Sequence, residues 1–569
     1  MLTIAVWGQT LKITTSSGTK EYSASQVTES EPATFTGGTM LTVGSDVFTI
    51  SDITSMLVTN SSSSDVEANT VNIVYNGSTA TVTMADNVAA YVSAEVSGAH
   101  VSITQTNTDA IDGEEITYVL SGSTTDGSLT LAGSYKCTVS LDGVTLTNPS
   151  GAAINITNSK RIQLSAKNGT ESTLTDGSGS QKACIYSKGQ LQLQGKGTLN
   201  VVGNYKHGIK SASYITIKNL TLNINVTAAA AKGIKADGDM NISDGEITIT
   251  TTGSAAWDSD DSEVKACAAM SADGNMTISG GTLTLTSSGA GGKAISVDGT
   301  LTISGGVTSA ITTGQIAYCQ STSNTTIKTT TSSSTTERLA DALKTSPKAI
   351  KADGAMTISG GTTYAKASYH EAVETKSTLD VTGGVIYAYS ADDAINSAST
   401  MTLSGGYVGG YSNGNDAIDS NGNLYIKGAT VFAYTTKSSP EVAIDANTEG
   451  GYKLYVESGT LYAYPSLESG SSLTQSCYTA SLSTSNWYSF TESGTAFAFK
   501  VPASGTWIVS GGNSLYSVSK SDGTTVFDGY GATDATVSNG SSVSLSSYTG
   551  GASGGGPGGG GGPGGGGWH

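Results

Sequence analysis

The sequence predicts an all-β protein built as a parallel β-helix, a solenoid flanked by β accessory domains. Three observations predict it. First, a phrase of the form small–small–aliphatic–polar recurs eleven times, from Ala152-Ala153-Ile154-Asn155 to Val442-Ala443-Ile444-Asp445. Its aliphatic residue returns after 31, 24, 25, 36, 25, 55, 23, 22, 23 and 26 residues. A period of this length with occasional insertions marks a solenoid, because each unit buries its apolar edge only by stacking on its neighbours. Second, the stretches between phrases alternate with period two. In Lys351–Ala365 an Asp-Gly turn leads into Met356-Thr357-Ile358, then a Gly360-Gly361 corner, then a second alternating run. Each unit thus holds about three short strands joined by Gly, Asn and Asp turns, with no helical period between them. Third, Gly is 73 of 569 residues, Pro only 8, and charged residues 13%. Rungs ~4.8 Å apart make eleven coils roughly 50 Å long.

The elements follow in order. Residues 1–9 are apolar and uncharged, matching either the end of a signal-peptide apolar region, cleaved near Gly8-Gln9, or an ordinary first strand. Residues 10–97 read as a separate β domain, with strands at Leu11–Thr14 and Val47–Ile50. The solenoid occupies 98–470 and is entered through Ile116–Leu120 and Cys137–Leu141. An insertion at 309–346 accounts for the longest interval, and Thr336–Leu343 within it reads as one short helix. Residues 475–549 lose the repeat and read as a β cap, since an open solenoid end would template other strands. Residues 550–569 are a Gly/Pro-rich tail ending in Trp568-His569, a linker or an assembly segment.

Composition excludes several classes. A net charge of −18 disfavours nucleic acid, and the arginines are only Arg161 and Arg338. The cysteines, 5 in number and scattered, read as buried free thiols, with Cys184 and Cys267 at or beside small inward positions. No apolar run reaches the length of a transmembrane helix. None of the 4 histidines sits in an acyl-transfer motif.

The run Tyr118-Val119-Leu120-Ser121-Gly122, then Val139–Val144 and Gly169–Gly177, together with Gly195–Val201 and the Ile-Ser-Gly-Gly corners, resembles a known family. It is similar to the bacterial carbohydrate-binding right-handed parallel β-helix proteins, which share their shape with pectate lyases. The resemblance covers roughly residues 98–470 and extends to the tail. It implies a secreted or cell-surface, calcium-associated, non-catalytic binder of acidic polysaccharide. The family has Asp where the phrase begins. Here that place holds His207, Lys232, Ala268, Lys293, Lys348 and Glu371 before Asp393 and Asp416 restore it, so calcium carries over only to the last coils.

Stacked coils turn each repeat position into a column. The first and fourth phrase positions run from lysine (Lys232, Lys235, Lys348, Lys351) to acid (Glu371, Glu374, Asp393, Asp416, Asp419). Carboxylates one rung apart repel unless a cation lies between them, and Asp392, Asp393, Asn396, Asn415, Asp416 and Asp419 could supply oxygens to calcium. The alternative is a solvated ladder paired with lysines. A second column is aromatic: Tyr364, Tyr387, Phe432 and Tyr462 at one outward position, and Tyr389, Tyr411, Tyr434 and Tyr464 two residues on. Such rings suit sugar faces. Alternatively, residues 475–549 or a second copy cover them, and self-assembly into a surface fibre is the competing function. The enzymatic alternative is a calcium-dependent lyase with Lys348 or Lys351 as base.

Overall fold

The structure, a computed structural model, describes residues 9–23, 26–27, 33–60 and 66–550. It is nearly all β, and the chain holds about 13 turns of parallel β-solenoid. Two compact units divide it, Met1–Glu374 and Thr375–His569.

In the first unit each turn has three short strands, as the alternation predicts. The phrase forms the first, for example Lys232–Ala236, followed by Met240–Ile242 and Glu246–Thr251. Equivalent residues stack in register. One column runs Ile154, Ile185, Ile209, Ile234, Met270, Ile295, Ile350. A second runs Leu164, Leu193, Ile217, Ile242, Ile278, Ile303, Ile358. All are buried, so the core is a set of aliphatic ladders, each rung shielding the next. Turn backbone is satisfied by buried hydroxyls: Ser187 and Ser211 both donate to the Gly189 carbonyl, at 3.0 and 2.8 Å.

The second phrase position holds only Gly, Ala or Cys, and at Gly233 not even a Cβ fits. A Cβ on Gly233 would lie 2.3 Å from Ile249 Cγ2 and 2.5 Å from the Ala269 carbonyl. Gly233→Val should therefore destabilise the first unit by about 2–3 kcal/mol, measured by denaturant unfolding. A loss below 0.5 kcal/mol would contradict this packing.

Parallel pairing starts before the first phrase. Thr70–Asn76 pairs in parallel with Ile116–Thr124, and Ala99–Gln105 with Gly127–Gly133. Ahead of it, Gln9–Thr15 pairs antiparallel with Gly18–Ser23 and Ile53–Asn60, around Leu11, Ile13, Tyr22, Leu41 and Val43. Residues 1–8 and the tail from 551 lie outside the described residues.

Thr336–Leu343 is not an α-helix. The segment holds one 3-10 turn, Asp341–Leu343, and a second, Ser333–Thr335, ends just before it; neither has a side-chain cap. A segment so short does not recover the cost of helix nucleation. The five cysteines are free and buried.

In the second unit the second and third strands of each turn merge across the Gly corner into Leu379–Ser390, Met401–Ser412, Leu424–Thr435 and Leu454–Tyr464. Within this unit the phrase column is Ile395, Ile418, Ile444 and Leu467. Gly505–Ser510 pairs antiparallel with the last long strand, so the edge is closed. Beyond it a five-stranded antiparallel sheet forms from Trp487–Ser489, Gly494–Phe499, Leu515–Ser521, Thr524–Val526 and Gly531–Val543.

Candidate functional site

The aromatic column has the register read from the sequence but not the exposure. Tyr387, Gly409, Phe432 and Tyr462 are neighbours on successive rungs, as are Tyr389, Tyr411, Tyr434 and Tyr464. The C-terminal sheet covers the first set. Tyr387, Phe432, Tyr434 and Tyr462 keep 4%, 0%, 7% and 1% of their surface. Phe527 packs on Tyr387 and Phe432, and Phe499 lies 3.8 Å from Tyr462 between ring centroids. The second set stacks on itself: 4.7 Å from Tyr389 to Tyr411, 4.9 Å to Tyr434, 5.6 Å to Tyr464. Rung spacing equals ring-stacking distance, so the faces a sugar would need are spent on neighbouring rings. Of the eight aromatic residues proposed from sequence, Tyr389, Tyr411 and Tyr464 stay half-buried, as does Tyr364 in the first unit. The expected platform of exposed rings is a structural seam.

The late acidic positions are brought together in part. In the second unit Asp416, Asp419 and Asp445 place carboxylate oxygens within 4.8 Å of one another. Asp445 was missed as a ligand, although it follows Asn396 and Asp419 at the fourth phrase position. Asp393 is committed elsewhere: its Oδ1 accepts the Asp416 N–H at 3.1 Å and its Oδ2 the Asn396 amide at 3.2 Å. The Asn396 amide also donates to Asp419 at 2.7 Å. Asn415 donates to Asp392 at 3.3 Å, as a separate pair. Asp416 accepts the Val442 N–H at 2.6 Å. Burial raises these acids. Asp416 is pushed up to about 7, Asp419 to about 6, and Asp445, which shares a hydrogen bond with Glu468, to about 9. Burial and the nearby Asp419, Asp392 and Asp416 hold Asp393 well above the carboxylate range. The cluster is all oxygen and close-set, and among the described residues none of the three carboxylates has an ion pair, which suits a hard divalent cation.

The feature that sequence reading left without a role is a groove in the first unit, of about 880 Å³. Its floor is the lysine column at the first and fourth phrase positions. Its walls come from insertions that precede phrase strands: the hairpin Ala256–Asp258 with Glu263–Lys265, and the segment ending at Lys344–Thr345. Ala255 and Val264 of the first pack with Ala317 and Cys319 of the second, and Trp257 joins them while lining the groove. The intervals of 36 and 55 residues were the available signal, since both lengthen the same turn.

The lysines of the column are of two kinds; of the groove's others, Lys265 pairs with Asp258, Lys344 with Asp341, and Lys206 is exposed. Fourth-position lysines face a carboxylate: Lys210 with Asp237 at 2.9 Å, Lys351 with Asp353 at 2.6 Å, and Lys235 with Asp273. At the first position Lys348, which is not part of the groove's lining, pairs with Glu371 at 3.2 Å and with Glu374. Lys232 and Lys293 instead meet neutral acceptors. Lys232 Nζ donates to the Ala230 carbonyl at 3.4 Å and to that of Ala266, and Lys293 Nζ to Thr345 Oγ1 at 2.9 Å and the Gly291 carbonyl at 3.4 Å. Burial lowers Lys232 to about 8 and Lys293 to about 7. Burial and the surrounding lysines also keep His207 neutral; its Nδ1 accepts the Lys232 backbone N–H at 2.9 Å.

Comparison with known proteins places this groove inside a matched segment. The family model of carbohydrate-binding domain-containing proteins matches residues 97–394. A carbohydrate-binding domain-containing protein of Acetivibrio thermocellus is 26% identical over 133 residues, 20% of this chain and 46% of that protein. The chain thus spans about half the length of the curated relative it matches. A solved structure of a polysaccharide lyase-like protein from C. thermocellum, a gadolinium derivative, is 20% identical, with 43% of this chain and 95% of that one covered at a TM-score of 0.30. At that score the likeness carries no argument.

Proposed function

The chain belongs to the family of carbohydrate-binding domain-containing proteins, and from that premise we propose that it is a secreted or cell-surface binder of extended acidic polysaccharide, with the groove of the first unit as its binding site. The observation that carries this reading is the lysine-floored groove within residues 97–394, with Trp257 in its wall. Its volume falls in the range of ligand clefts. Uronate carboxylates supply the counter-charge for Lys232 and Lys293, which the groove's own acids leave unpaired, and an indole offers a stacking face to a sugar ring.

Binding without cleavage is the better-supported activity. Lys348 and Lys351, the bases a lyase would use, are each already engaged in an ion pair, with Glu371 at 3.2 Å and Asp353 at 2.6 Å. Calcium in the second unit is part of the proposal: Asp416, Asp419 and Asp445 would hold it, with Asn396 orienting Asp419. Its role there is to neutralise the stack. Assembly into a fibre through the tyrosine face loses its motive, because the chain's own C-terminal sheet covers Tyr387, Phe432 and Tyr462.

Affinity electrophoresis through gels containing polygalacturonate or neutral dextran tests the function. Retardation is expected with polygalacturonate alone, weakening as salt rises. Trp257→Ala should weaken it by about tenfold, the scale of a lost aromatic contact of ~1.4 kcal/mol. Equal mobility in both gels would reject the acidic substrate class, and unchanged retardation of Trp257→Ala would reject the groove.

A further inference from the structure

One feature of the groove is unexplained by packing: two desolvated cations without counter-ions. The first phrase position is paired rung to rung as Lys232, Ala268 and Lys293. Those two lysines therefore stand two rungs apart, about 9–10 Å at their backbones. Between them Ala268 contributes only a methyl group. Among the described residues no carboxylate lies within ion-pair range of either ammonium, while Lys210, Lys235, Lys348 and Lys351 each have one. An ammonium offers three N–H donors. Each of these amines spends two, on carbonyl or hydroxyl oxygens.

The same column shows how the chain neutralises such a lysine when it does so itself. One turn after Lys348 the first position is Glu371, and its carboxylate pairs with Lys348. At the Ala268 rung that carboxylate is missing. Burying a cation is costly unless an anion accompanies it. The groove leaves these two open to a ligand.

Resting on the reading that the groove takes polysaccharide, we propose that Lys232 and Lys293 bracket a single-anion subsite at the Ala268 rung, which receives one carboxylate or sulfate ester of a sugar residue. The paired lysines around it already have their counter-ions and Lys206 is exposed, so the desolvated charge that separates charged from neutral polysaccharide lies at this rung. The lowered basicity of both amines agrees with an anion-free state, since an anion between them favours their charged forms.

The test compares three probes, polygalacturonate, dextran sulfate and neutral dextran, by titration calorimetry on the full chain. The wild type should bind at least one anionic probe and not dextran. Binding of polygalacturonate alone identifies the carboxylate as ligand, and binding of dextran sulfate alone the sulfate ester. Lys232→Met with Lys293→Met keeps the apolar stems and removes both charges, and should weaken anionic binding at least tenfold. Lys188→Met with Lys218→Met, an equal charge change at exposed sites, should alter it less than twofold. Ala268→Glu should abolish anionic binding without lowering the melting temperature, because it repeats the Glu371–Lys348 arrangement. A folded double Met variant that keeps its affinity within twofold overturns the subsite, and the groove reading survives if Trp257→Ala still weakens binding. A wild type that binds neither anionic probe overturns both.

Discussion

Replacing Trp507 by Ala is expected to cost the second unit about 3–5 kcal/mol, the range for truncating a fully buried large aromatic. Trp507 has no exposed surface and its indole N–H donates to the Ala503 carbonyl at 3.1 Å. Its ring meets Phe432 at 5.6 Å, Tyr434 at 5.9 Å and Tyr464 at 5.2 Å, so one side chain fastens the C-terminal strand to both aromatic columns. Truncation leaves a cavity against rungs too rigidly hydrogen-bonded to collapse into it. The melting temperature of the unit should fall by roughly 6–20 degrees. Tyr389→Ser, at a half-buried place, should cost much less. If Trp507→Ala shifts unfolding by less than 1 kcal/mol, the aromatic seam is not what holds the C-terminal sheet.

The second large effect joins pH and calcium in the acidic cluster. Asp416, Asp419 and Asp445 have folded-state values near 7, 6 and 9, all above the ordinary carboxylate value. Between about pH 4 and 9 the native cluster therefore binds more protons than the unfolded chain. Its contribution to stability is fully present below the unfolded values and is lost as pH rises through the folded ones. With a chelator present, stability should fall between pH 6 and 8 by roughly 1.4 kcal/mol per unit for each proton in excess. Lys232 and Lys293 in the first unit work in the opposite direction, because lowered lysine values make stability rise with pH. The slope must therefore be assigned by Asp445→Asn, which should flatten it. Calcium should replace the proton, so its stabilisation should be larger at pH 8 than at pH 5. A calcium effect independent of pH, or a slope unchanged by Asp445→Asn, would remove the cluster as a cation site.

Legibility differed from element to element. The solenoid was readable because the phrase reports contacts at nearly fixed sequence spacing: Ile209 meets Ile234 since each turn repeats the last. Turns that lack the phrase, such as the one holding Gly127–Gly133, escaped the count although they pair in the same ladder. The tyrosine registers were readable for the same reason, down to Tyr411 beside Tyr434. Their exposure was not, because outward from the solenoid does not mean outward from the protein: Phe527 lies about a hundred residues from its partner Phe432. The acidic cluster was half visible. Asp416 and Asp419 stood out, while Asp445 entered only with the geometry and Asp393 turned out to serve its neighbours' hydrogen bonds.

By itself the sequence determined the parallel β-solenoid, the columns along it, and the change from lysine to acid at the first and fourth phrase positions. These are consequences of a period, and a period is written in the order of residues. Only the tertiary structure decided which columns are covered and which lysines lack a counter-ion. It also decided that two irregular insertions pack together as the walls of one groove. Those outcomes rest on contacts between segments with no repeat relationship, such as Val264 with Ala317 or Trp507 with Tyr464. No spacing encodes such contacts. They follow from the shape and burial of surfaces that exist once the turns have stacked.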